Sequence, residues 1–170
     1  MTEKNLTCCF TGYRPQKFPF ALNAGNPGYI DFENRLLGEI TMLINEGCTA
    51  FYTGMAMGFD IIAAECVLTA AKIMDNHAVR LYCAIPFLAQ AQTYPPDWRA
   101  RYNRIIQSCD NLILISKDYY SGCYYDRNRF MVNNSDIVLT WFNGSPGGTK
   151  YTLDYAKSKL RKIINLHTEW

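Results

Sequence analysis

Residues 50–65 read AFYTGMAMGFDIIAAE: a short apolar run, a turn with glycines at 54 and 58, and the opening of a helix rich in small residues. A brief, almost continuously apolar run that ends in a glycine turn and delivers into a helix is the pattern of a strand covered on both faces of a parallel sheet. The same alternation extends in both directions. Candidate strands occupy residues 6–11, 50–53, 79–85, 112–116, 137–142 and 163–166.

Helical patterns separate them. Phe32, Leu36, Leu37, Ile40, Leu43 and Ile44 recur at spacings of three and four, with Asp31 before them as the expected cap and Gly47 after them. A second helix starts near Asp60 and runs through IIAAECVLTAAKIM. A third puts Trp98, Tyr102, Ile105 and Ile106 on one face and Arg99, Arg101 and Arg104 largely elsewhere, and shorter helices are expected over 126–134 and 151–160. Alternation of this kind implies right-handed crossovers. The expected fold is α/β: one Rossmann-like three-layer domain over residues 1–170, with a mostly parallel sheet and helices on both faces.

Composition bounds the function. Of 170 residues, 49% are hydrophobic and 19% charged, which fits a globular domain rather than a disordered tail. Lys and Arg number 17 against 15 Asp and Glu, so no general basic excess announces duplex DNA or an acidic membrane. The seven cysteines form no C-x-x-C pair, and His77 and His167 stand apart, so no metal site is expected. MTEKNLTCCFTGYRP holds no sustained apolar segment and no 18 apolar residues run uninterrupted, so a reduced, cytoplasmic protein is expected.

Ligands of open parallel sheets bind outside the carboxyl ends of the strands. Three such positions share one character: Gly12, Tyr13 and Arg14; Gly54, Met55, Ala56, Gly58 and Asp60; and Gly144, Ser145, Gly147, Gly148 and Thr149. Glycine turns ahead of helices let backbone N–H groups and the positive helix end meet a phosphate. Each turn also reads as a tight turn and nothing more. Neither a P-loop nor a complete G-x-G-x-x-G string is present. Asp60 reads as the cap of its helix or as an acceptor for a sugar hydroxyl. Arg14 suits a bidentate phosphate contact. Tyr119, Tyr120, Tyr124 and Tyr125, beside Arg127, suit base stacking or simple packing of a lid.

FTGYRP at 10–15, TGMAMGFDIIAAE at 53–65, AIPF at 84–87 and YDRNRFMVNNSDIVLTWFNGSPGGTKYTLDYA at 125–156 resemble the YpsA-like family of the SLOG superfamily, named for the Smf/DprA and LOG proteins. The LOG branch contains nucleotide phosphoribohydrolases, whose signature joins an arginine and a methionine to a P-G-G-x-G-T-x-x-E string. Arg127 and Met131 match the first pair, and Pro146, Gly147, Gly148 and Thr149 match part of the string. Thr152 stands where the catalytic glutamate is expected. The resemblance therefore implies binding or sensing of a nucleotide-derived small molecule, ADP-ribose-containing ones included, with no certain cofactor.

One alternative is a nucleotide N-glycosidase or ribosyl transferase, with Arg127 catalytic and Glu65 or Asp154 replacing the absent glutamate, Glu65 first. Single-stranded nucleic-acid binding, with Lys150, Lys157, Lys159, Arg161 and Lys162 as its basic stretch, ranks last, so a nucleic-acid partner is not expected. Apolar aromatic surface leaves room for a homo-oligomer.

Overall fold

The computed structural model describes residues 5–167, so the first four residues of the N-terminal stretch considered above lie outside it. In chain order the elements are β1 (Leu6–Gly12), a 3-10 turn (Pro15–Lys17), α1 (Pro27–Asn45), β2 (Cys48–Thr53), α2 (Phe59–Ile73), β3 (Arg80–Phe87), α3 (Pro96–Ser108), β4 (Asn111–Ser116), α4 (Cys123–Asn133), β5 (Ile137–Trp141), α5 (Gly148–Ser158) and β6 (Lys162–Asn165). The six strands form one sheet in the order β4-β3-β2-β1-β5-β6. Every neighbouring pair is parallel.

Two apolar layers hold this sheet. The larger joins Phe10 and Phe51 of the sheet to Leu36 and Ile40 of α1, Ile61 and Ile62 of α2, and Trp98 and Ile105 of α3. The smaller, on the opposite face, packs Cys9 and Val138 against Met131 and Val132 of α4 and Leu153 and Ala156 of α5. Strand order reverses between β1 and β5, whose ends align with Thr11 opposite Thr140 and Gly12 opposite Trp141. A crevice opens at that point because the two connections leave in opposite directions.

Helix starts differ from the expected ones in ways that matter for the crevice. The cap of α1 is Asn26 and not Asp31: its Oδ1 accepts from the N–H groups of Gly28 (2.9 Å) and Tyr29 (3.4 Å), and Pro27 supplies the first turn. Both α4 and α5 begin three residues earlier than the apolar spacing suggests, because Gly122 (φ +94°) and Gly147 (φ +143°) turn the chain into the helix. Gly148 and Thr149 thus lie in the first turn of α5.

Strand β4 departs from double coverage. Ile113 packs toward α4, while Leu112 and Leu114, on the other face by alternation, are 41% and 43% exposed at the sheet edge.

Gly58 joins β2 to α2 at φ +91°, and a Cβ there would lie 2.5 Å from the Tyr13 carbonyl oxygen. Gly58→Ala is expected to lose about 2 kcal/mol of stability or more through backbone strain and this clash, measured by urea denaturation; an unchanged midpoint would contradict the assignment.

Candidate functional site

The residues after β1 enter the crevice first. Tyr13 is buried, and its hydroxyl donates to Asn143 Oδ1 (2.5 Å), lies 2.8 Å from Ser145 Oγ and accepts from the Asn143 N–H (3.2 Å). One phenol therefore ties the β1 loop to the β5–α5 loop. Lys17 follows in the 3-10 turn, its Nζ donating to the Pro146 carbonyl (3.1 Å) and lying 5.2 Å from the Tyr13 ring centre. Arg14 stands exposed between them.

From the opposite side of the sheet, α4 delivers Arg127. Its guanidinium is buried, with Nη1 donating to the Gly54 carbonyl and Nε donating to Asn128 Oδ1 (2.8 Å). A Cβ at Gly54 would lie 2.6 Å from the Arg127 guanidinium carbon, so a larger residue there would displace the guanidinium. The Gly54 carbonyl also accepts from Gln90 Nε2 (3.0 Å), and Tyr94 donates to the Met55 carbonyl (3.1 Å). The β2–α2 turn is thus braced from beneath. Tyr124, one turn before Arg127, faces both arginines, with Arg127 and Arg14 at 5.8 and 5.6 Å from its ring centre.

Asp60 completes the wall. It does not cap α2: Gly58 holds that position, and the Asp60 carboxylate turns back to accept from the Ala56 N–H (3.3 Å). Burial pushes its carboxyl up to about 6, against the opposing pull of the Arg127 charge, the Ala56 N–H and Arg14.

These groups enclose a cavity of about 330 Å³. Of the residues singled out from the sequence, Gly12, Tyr13, Arg14, Ala56, Asp60, Tyr124, Tyr125, Arg127, Gly148 and Thr149 line it together. Gly54, Met55 and Gly58 support the floor, and Ser145 reaches it through Tyr13. Thr11, from the same strand end as Gly12, also lines it, as do Gln16, Lys17 and Asn128, which were not expected. Lys17 had a signal of sorts, three residues beyond Arg14 after a proline.

Other expectations are corrected by position. Glu65 does not stand beside the loop: it points across to α3, where Arg101 grips both of its oxygens (2.8 and 2.6 Å). Asp154 pairs on the α5 surface with Lys150 (2.6 Å). Tyr119 leans on Phe87 and Tyr120 donates to Asp126 Oδ2 (2.5 Å), so neither lines this cavity. Thr152 is buried, its hydroxyl donating to the Gly148 carbonyl and accepting from Asn128 Nδ2, both at 3.0 Å. Lys157, Lys159, Arg161 and Lys162 fall at the end of α5 and the start of β6, the opposite end of the sheet from the crevice. Among the described residues no helix is long and apolar enough to cross a membrane.

A six-stranded parallel sheet with its crevice at the β1/β5 reversal defines a Rossmann-like α/β protein. The chain belongs to the YpsA family, described as the YspA SLOG family, whose model matches residues 8–167. It is 27% identical over 160 residues to the SPbeta prophage-derived protein YoqJ of Bacillus subtilis (strain 168), covering 85% of this chain and 92% of the relative. A UPF0398 protein of Bacillus thuringiensis (strain Al Hakam) is also 27% identical, over 93% of this chain and 85% of its own length.

Among solved structures, DNA processing protein A from Helicobacter pylori superposes with a TM-score of 0.67 at 18% identity over 96% of this chain, and its Streptococcus pneumoniae counterpart with 0.66 at 16% over 98%. The chain spans 66% and 52% of those two proteins. The first is described by its single-stranded DNA binding mode, which overturns the expectation set against a nucleic-acid partner.

Two outcomes follow from the side chains described. An acid whose carboxyl is raised by folding favours the native state most when protonated, so Asp60 contributes fully below about pH 4 and its contribution is lost as pH rises through about 6. Relative to Asp60→Asn, the unsubstituted protein is expected to lose about 2 kcal/mol between pH 4 and pH 7, measured by urea denaturation across a pH series; a pH-independent difference would contradict this. Glu65→Gln is expected to cost about 1 kcal/mol by weakening the half-buried link to Arg101, read as a lower urea midpoint.

Proposed function

We propose that the chain binds the phosphate-bearing part of a nucleotide in the crevice at the carboxyl ends of β1, β2 and β5. The observation that carries this reading is the convergence of Arg14, Lys17 and Arg127 with the first turn of α5 on one cavity. Three cationic side chains lining one cavity with the residues of a helix start favour a phosphate electrostatically. The cavity falls within the range of small-molecule sites, and Tyr124 and Tyr125 offer ring faces to a base. Asp60 supplies an acceptor for a sugar hydroxyl.

Binding is favoured over turnover by two side chains. Thr152, at the position of the catalytic glutamate in LOG proteins, has its hydroxyl engaged within the protein. Glu65 is held by Arg101.

A second reading, single-stranded DNA as the source of that nucleotide, is supported by the likeness to the two DNA processing proteins. Both readings are tested by calorimetric titration with nucleoside 5′-monophosphates and with short single strands over a salt series. Arg14→Ala is expected to weaken binding about tenfold, and a steep loss of affinity with salt marks the single strand. Absence of binding to either class would refute the proposal.

A further inference from the structure

We infer that the first cavity is one of two adjoining subsites, and that the ligand therefore carries two nucleosides joined through phosphate. This rests on the nucleotide reading of the first cavity and extends it. A second cavity of about 370 Å³ lies along the same edge of the sheet, and Arg14 and Tyr124 belong to the walls of both. The second is completed by residues at the ends of β3 and β4, among them Phe87, Lys117, Asp118 and Tyr119.

Its aromatic side is built for a flat group. The Phe87 ring is held edge-to-face by Tyr119 (5.5 Å between centres, 83°) and Tyr124 (5.9 Å, 83°). Tyr119 lines this cavity and remains 63% exposed, which leaves ring surface open to a ligand. Stacking on such a face does not depend on which base is offered.

Charge orders the two units. Arg14 sits on the shared wall with its guanidinium over Tyr124, within the lining of both cavities, where it would meet a linking phosphate. Lys117 adds a cation beyond it. Asp118 disfavours a terminal phosphate at the far end and suits the amino group of a base or a sugar hydroxyl. A mononucleotide would leave this half of the surface unused.

The test compares thymidine 5′-monophosphate with 5′-phosphorylated dithymidylate, and adenosine monophosphate with diadenosine diphosphate, by titration calorimetry. A two-nucleoside ligand is expected to bind about tenfold more tightly than its mononucleotide, the size of one base-stacking contribution. The double substitution Lys117→Ala and Tyr119→Ala, both at exposed positions, is expected to remove that gain and leave mononucleotide affinity within about twofold. A gain confined to dithymidylate assigns a single strand; one confined to the diphosphate assigns a free dinucleotide. Equal affinity for one and two units, or a gain that survives the double substitution, overturns the second subsite while the first stands. Failure of every ligand to bind overturns both.

Discussion

The guanidinium of Arg127, buried beneath the β2–α2 turn and bonded to the Gly54 carbonyl, is the contact on which the crevice depends. It comes from α4, on the opposite side of the sheet from α2, and reaches the residue that follows β2. Burying a guanidinium is costly unless its N–H groups are met. Here Gly54 and Asn128 meet two of its nitrogens, and Asp60 opposes its charge. Glycine at position 54 leaves the guanidinium its space. Arginine, glycine and carboxylate therefore form one unit, although 73 positions separate Arg127 from Gly54.

The glycines of this chain divide by physical role. Gly54 and Gly58 admit close neighbours, a guanidinium in one case and the Tyr13 carbonyl in the other. Gly148 lies in the cavity wall at the start of α5. Read as a string, the three look alike. What separates them is whether the space beside the missing Cβ is filled by protein or opens onto the crevice.

The twelve tyrosines of the chain also serve different ends. Tyr13 and Tyr94 are interior struts whose hydroxyls carry loop-to-loop hydrogen bonds. Tyr124 and Tyr125 line the cavity, and Tyr119 presents its ring beyond it. The even charge balance fits this arrangement, because three cations, Arg14, Lys17 and Arg127, line the cavity while pairs such as Arg101 with Glu65 and Lys150 with Asp154 neutralise each other elsewhere.

Element types and the parallel α/β architecture are legible in the sequence, because period-two and period-3.6 patterning is local and six apolar runs separated by helices admit few other folds. The sequence also placed Arg14, Asp60, Arg127, Gly148 and Thr149 at strand ends or helix starts, from which they converge. Tertiary structure alone decided that Glu65 belongs to Arg101, that Asp60 turns back to its own loop rather than capping α2, and that Lys17 and Asn128 share the cavity. The direction of a side chain and the identity of its partner depend on elements distant in the chain. The start of α5 was misplaced for a related reason: Gly148 and Thr149 carry no apolar periodicity, and the helix begins there because the chain turns at Gly147.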